Sequence, residues 1–188
     1  MLDKSLKILL SFVVLWQIIM LSACNDGVII SQQKVNDQDK QRKESLEKAN
    51  RYLVLKEKED IVNYIERHNL NVEWLGTCLC YSIVNQGDTT LVKRGNLVSI
   101  EYEVRLLNGD LLYTSREDGL KTFIAGRGGV ESGLEEALVH LHTNDVAVVI
   151  IPSDAAHGLL GDGNKIPPKT PIVYNLKIID NQSNKYNN

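Results

Sequence analysis

The chain has 188 residues, a formal net charge of −3 and 43% hydrophobic residues. That size and balance allow one ordinary domain with flanking segments, and with no basic stripe they argue against nucleic acid as the main partner. Three cysteines, Cys24, Cys78 and Cys80, are too few for a disulfide-stapled framework.

Lys4 and Lys7 precede an apolar run over 8–20, which leads into Leu21-Ser22-Ala23-Cys24. The run is short for a membrane span and long enough for the core of a signal peptide. Small residues before a cysteine resemble a bacterial lipobox. Residues 1–23 then form a lipoprotein signal peptide, and Cys24 becomes a lipid-bearing N-terminus. An ordinary signal peptide or an uncleaved anchor are the other readings. Two or more acyl chains make anchoring stable, since each buried methylene adds roughly 0.8 kcal/mol. Residues 24–44 are rich in Gln, Asn, Asp and Lys. Such a composition cannot bury enough surface to offset ordering entropy, so it reads as a tether.

Residues 45–70 read as a helical segment, with Leu46, Ala49, Leu53, Ile61, Ile65 and His68 at roughly helical spacing. The segment is either a spacer packed on the domain or an arm for dimerisation or client contact. Strand character follows over 69–84, with Leu79, Tyr81 and Ile83 alternating. Cys78 and Cys80 lie two apart, on one side of a strand. Extended backbone holds such a pair near the outer limit of bridging distance, so two free, partly buried thiols are expected.

Turns are expected at 86–88 and 93–96. Val98, Ile100, Tyr102 and Val104 alternate along a strand over 97–106. Asn108-Gly109 predicts a type I′ hairpin, with a returning strand over 111–115. Gly126-Arg127-Gly128-Gly129 lacks the Gly-Lys-Ser/Thr ending of a phosphate cradle. Leu134, Ala137, Leu138 and Leu141 then mark one face of a short helix, and Ser132 with Glu135 predicts a capping box. His140 and His142 are spaced wrongly for one helical face and read as surface rather than metal ligands. A buried run over 146–151 precedes a long loop over 152–171, which carries Asp154, His157 and Pro167-Pro168 and reads as a lip over a pocket. A last strand over 172–179 and a polar tail over 181–188 end the chain. One short helix among several strands must be buried against a sheet, so the fold class is α+β.

In chain order, Lys93-Arg94-Gly95, Tyr102, Asn108-Gly109, Tyr113-Thr114-Ser115-Arg116 and Phe123-Ile124-Ala125-Gly126 form the first half of a set. Val130 to Glu136, Pro152 to Gly158 and Ile166-Pro167-Pro168 complete it. The ordered set resembles the FK506-binding-protein (FKBP) type of peptidyl-prolyl cis-trans isomerase. The resemblance implies a curved antiparallel sheet wrapped around one short helix, in an isomerase domain over 71–180. It implies catalytic roles for Tyr102, His157, Tyr174 and Glu131, the last through its backbone N–H. Substrate would touch Leu112, Tyr113, Phe123, Val130, Leu134 and Ile166, with no metal and no cofactor.

Several positions depart from the family pattern. Leu134 stands where a tryptophan is usual, His157 where a tyrosine is usual and Tyr113 where an aspartate is usual. Leu112 and Lys121 replace aromatics, and Glu131 puts a carboxylate at the rim in place of an aliphatic side chain. The whole chain also looks like lipoprotein isomerases associated with gliding motility in Bacteroidetes-type bacteria. That likeness implies a lipid-anchored protein of the bacterial cell envelope, facing the periplasm. Its partners would be proline-containing exported polypeptides, the membrane through Cys24, and envelope or motility proteins. The competing reading is a catalytically weak binding module or chaperone with the same fold.

Overall fold

Two apolar periodicities, one of two residues along strands and one of about 3.6 along helices, build the structure. The computed structural model describes residues 26–76 and 78–183, with side chains from 37 onward. The signal segment, Cys24 and the end of the polar tail lie outside the described residues. The elements are α1 (Asp26–Arg67), β1 (Glu73–Leu75), β2 (Leu79–Asn85), β3 (Leu97–Leu106) and β4 (Leu111–Thr114). They continue with α2 (Ser115–Asp118), β5 (Lys121–Ile124), α3 (Ser132–Leu138), β6 (Val146–Ile151) and β7 (Ile172–Gln182). No helix among the described residues is long and apolar enough to cross a membrane.

The strands form one antiparallel sheet in the order β1-β2-β6-β7-β3-β4, with β5 also paired to β3. This is the expected α+β arrangement. The inner face of β3 is Val98, Ile100, Tyr102 and Val104, all buried as their alternation requires. A row of inward side chains runs Tyr81, Val149, Tyr174, Val104 across β2, β6, β7 and β3. Against this face lie Leu134, Ala137, Leu138 and Leu141, each 0% exposed.

Local chemistry differs from the sequence reading at several points. The β3–β4 turn is not type I′, because only Gly109 has positive φ. Gly109 N donates to Leu106 O, and Leu106 N to Asp110 O, which gives a tight turn followed by a bulge at Val104/Arg105. The capping box does not form. Ser132 Oγ instead donates to Ala155 O at 3.1 Å, Gly133 N donates to the same oxygen, and Glu135 accepts from Gly128 N. The loop after β6 therefore supplies the cap. Gly87, expected in a turn, is where the chain crosses 143–145 so closely that a Cβ would lie 2.3 Å from Thr143 O. β5, unassigned by sequence pattern, pairs with Leu97 to Ile100 on the same edge of β3 that β4 uses further along.

The sheet unit begins at Leu53, so it includes the second part of α1. Ile61 and Tyr64 are buried on the outer face against Cys78, Cys80, Ile150 and Val173. With both faces covered, β6 can be apolar throughout, which explains the unbroken run over 146–151. Leu46, Leu53 and Ile83, counted among the apolar faces by spacing, are exposed. Residues 26–44 are helical rather than an irregular tether. Their Lys, Gln and Glu are good helix formers, and a helix already nucleated by packing propagates through such residues at little cost.

Cys78 and Cys80 are free and buried. Burial, and then the neighbouring Cys78, push the Cys80 thiol up to about 12. Glu57 of α1 accepts from both Ser153 N and Ser153 Oγ, the latter at 2.8 Å, and so ties α1 to the start of the 152–171 loop. Glu57→Ala leaves that half-buried N–H without its charged acceptor. An expected loss of about 1.5–3 kcal/mol follows, measurable as a lower urea midpoint with unchanged slope.

Candidate active site

Tyr102 from β3, Leu112 from β4, Phe123 from β5, Leu134 from α3, Tyr174 from β7 and Ile166 from the loop join one apolar cluster. Val130 and Tyr113 pack against its edge. Four strands and one loop thus converge on the short helix. Tyr102 is placed by an unusual bond: its N–H donates to Ser115 Oγ at 3.2 Å, where β4 has left β3 and β5 has not yet begun. Gly133 lets α3 approach the sheet, since a Cβ there would lie 2.4 Å from Ile151 Cγ2.

A polar network sits inside this apolar frame. The Tyr174 ring is 0% exposed, and its hydroxyl donates to the Glu131 carboxylate, whose two oxygens both lie at 2.9 Å. Lys121 Nζ donates to the same hydroxyl at 2.9 Å and lies 3.9 Å from Glu131 Oε2. His157 Nε2 reaches Glu131 Oε1 at 3.1 Å. The Lys121 ammonium also stands over the rings of Tyr102 and Tyr174, 5.1 and 5.4 Å from their centres. Burial, and then the Glu131 charge, push the Tyr174 phenol well above its ordinary value, so it remains a donor. Tyr102 is raised by burial and by the charges of Asp118 and Glu131.

This geometry corrects one expectation. Glu131 is not a rim carboxylate; its side chain is turned inward and is only 9% exposed. His157 Nε2 lies within hydrogen-bond distance of that carboxylate. Lys121, noted in the sequence only as a lost aromatic, is the third partner. Its signal was the spacing to Phe123, two residues on, which puts both on one face of β5.

Tyr113 does not leave the edge without a carboxylate. Its hydroxyl donates to Asp162 Oδ2, while Asp162 Oδ1 accepts from Asn164 N at 2.9 Å and Ile166 N at 2.8 Å. Asp162 thereby fixes Ile166, 4% exposed, in the cluster. Burial opposes ionisation of Asp162, but these bonds, Tyr113's first, outweigh it and hold the carboxyl at about 2. The folded value lies below the ordinary 3.9 or so, so the stabilisation is present above about pH 4 and is lost as pH falls through about 2. Amide shifts of Asn164 and Ile166 should therefore titrate near pH 2 in the wild type, and Asp162→Asn should remove that transition.

Residues 88–179 match the family model described as FKBP-type peptidyl-prolyl cis-trans isomerase. FK506-binding protein 1 of Yarrowia lipolytica is 33% identical over 92 residues, covering 48% of this chain and 84% of that protein. The chain belongs to the FKBP-type peptidyl-prolyl cis-trans isomerase family. Its enzyme class is accordingly peptidyl-prolyl cis-trans isomerase. The probable FKBP-type isomerase FkpA of Neisseria meningitidis is 31% identical over 102 residues, covering 54% of this chain. The match spans only 37% of that relative's length. The FKBP fold is shared with a crystal structure of a peptidyl-prolyl cis-trans isomerase from Pseudomonas syringae, at a TM-score of 0.60 and 23% identity. That alignment covers 70% of this chain and 95% of the other. Within this FKBP domain, Glu131 links Lys121, His157 and the buried Tyr174 hydroxyl in one polar network beside the apolar cluster.

Proposed function

We propose that the full chain is a lipid-anchored isomerase of X-Pro bonds in exported proteins at a bacterial envelope. One observation supports the catalytic part: Tyr102, Phe123, Leu134, Ile166 and Tyr174 converge from separate elements in one apolar cluster beside the start of α3. Rotation about an X-Pro bond is slow because amide resonance must be broken, against a barrier of roughly 18–20 kcal/mol. The twisted amide has a less polar carbonyl than the planar one. An apolar chamber therefore favours the twisted state, which water solvates less well than the planar form. Each 1.4 kcal/mol or so of that preference speeds rotation about tenfold. No nucleophile is needed. The Glu131 backbone N–H, at the N-cap of α3, is the assigned donor to a substrate carbonyl.

Anchoring rests on Leu21-Ser22-Ala23-Cys24, and the tie to gliding motility or secretion rests on the likeness of the whole chain. A second reading, a weakly catalytic binding module or chaperone, is favoured by Leu134 in place of an aromatic floor and by the largely buried Glu131 carboxylate beside the apolar cluster. Protease-free exchange measurements on an X-Pro peptide, with and without FK506, separate the two. Rate enhancement supports the isomerase; binding of proline peptides without enhancement supports the module. Cys24→Ser tests the anchor, which fails if the variant still carries lipid by mass spectrometry.

A further inference from the structure

Glu131 makes contacts that its own helix does not require. It is the N-cap residue of α3, with φ −59 and ψ 141, yet its side chain makes no capping bond. The carboxylate turns instead toward Tyr174, Lys121 and His157. Two of those partners belong to the proposed proline site: Tyr174 is part of the apolar cluster, and Lys121 lies over the rings of Tyr102 and Tyr174. On the isomerase reading, a proline ring packed against Tyr102 and Tyr174 would enter beside this carboxylate and displace it from Lys121 and Tyr174.

Opening has a chemical consequence. The Tyr174 hydroxyl is fully buried, and without Glu131 it keeps its proton but loses its acceptor. Lys121 loses its counter-charge at the same moment. An unmade hydrogen bond at a buried donor is costly, and the ammonium, 29% exposed, is left with water and the two rings in place of a counter-charge. A neutral side chain beside the proline offers the Tyr174 hydroxyl no acceptor and Lys121 no counter-charge. A lysine there repels Lys121. An aspartate or glutamate restores both contacts.

We propose that Glu131 is an internal stand-in for an acidic substrate side chain, and that the cleft selects prolines preceded by Asp or Glu. This rests on the isomerase reading above and adds the substrate class. Glu131 latches the cleft; Lys121 and Tyr174 receive the carboxylate that replaces it.

The test uses the full chain and exchange spectroscopy on tetrapeptides containing Glu-Pro, Leu-Pro or Lys-Pro. In the wild type, kcat/KM for Glu-Pro should exceed that for Leu-Pro by about tenfold, with Lys-Pro lowest. Glu131→Leu should raise Leu-Pro turnover several-fold, because the latch is gone and the backbone N–H remains. Lys121→Met should erase the difference between Glu-Pro and Lys-Pro. Glu131→Gln, which keeps the shape, should move Leu-Pro turnover in the same direction if the leucine variant is poorly folded. Equal wild-type rates on the three peptides overturn the proposal, as does a lower Leu-Pro rate in a Glu131 variant of unchanged melting temperature. Turnover indifferent to charge sinks the latch alone. No turnover of any peptide by any variant sinks the isomerase reading with it.

Discussion

A chain that begins at Asn69 is expected to lose most of its stability, although it retains every strand. Removing 53–68 uncovers the outer face of the sheet, where Ile61 and Tyr64 cover Cys80, Ile150 and Val173. Burying a side chain of that size contributes roughly 1.5–3 kcal/mol, so the pair supplies about 3–6 kcal/mol. The Glu57 bonds to Ser153 add about 1.5–3 kcal/mol. The sum is comparable with the whole stability of an ordinary domain, about 5–15 kcal/mol. Urea unfolding followed by Trp74 fluorescence is the measurement. A chain beginning at Leu53 should keep the full-length midpoint, and the chain beginning at Asn69 should be largely unfolded without denaturant. Equal midpoints for both would mean that the helix only decorates the sheet. Ile61→Ala, at 0% exposure, should alone cost about 2–5 kcal/mol. A rate measured on residues 69–188 would read loss of fold as loss of activity, so catalysis has to be tested on the longer chain.

What was legible in the sequence was whatever one buried face imposes as a period. Val98, Ile100, Tyr102 and Val104 show it at two residues, and Leu134, Ala137, Leu138 and Leu141 at helical spacing. The apolar chamber residues were reachable only through resemblance, since nothing in the spacing of 102, 123, 134, 166 and 174 links them. The capping box was misleading because it is a local rule, and Ala155 O competes successfully for Ser132 from twenty-three positions away. β5 has four residues, one of them an inward lysine, which hides it from any apolar count. The polar network was not legible for a related reason. Polar side chains at 121, 131 and 157 around Tyr174 pair through the fold, and pairing across elements leaves no periodic trace.

Replacing Tyr102 or Ile166 by alanine is expected to lower kcat/KM by about 10–100-fold, beyond what unfolding explains. Each is an apolar wall on the chamber, 7% and 4% exposed, placed by a bond that serves position more than stability. For Tyr102 that bond is to Ser115 Oγ, and for Ile166 it is to Asp162 Oδ1. A wall that favours the twisted amide by about 1.4–2.8 kcal/mol accounts for the stated range. Truncating a core residue of this size also costs about 2–5 kcal/mol of stability, so activity alone does not separate the two effects. Leu138→Ala supplies the separation. It is 0% exposed on α3, is not among the residues assigned to substrate, and should destabilise comparably while leaving kcat/KM of the folded fraction unchanged. Tyr102→Phe keeps the ring and should retain most activity, because the wall is the ring rather than the hydroxyl. If Tyr102→Ala folds and turns over peptide at the wild-type rate, proline does not bind against β3. The charged network would then be guarding an empty cleft, and Glu131 would be better explained as a structural bridge between α3 and β5.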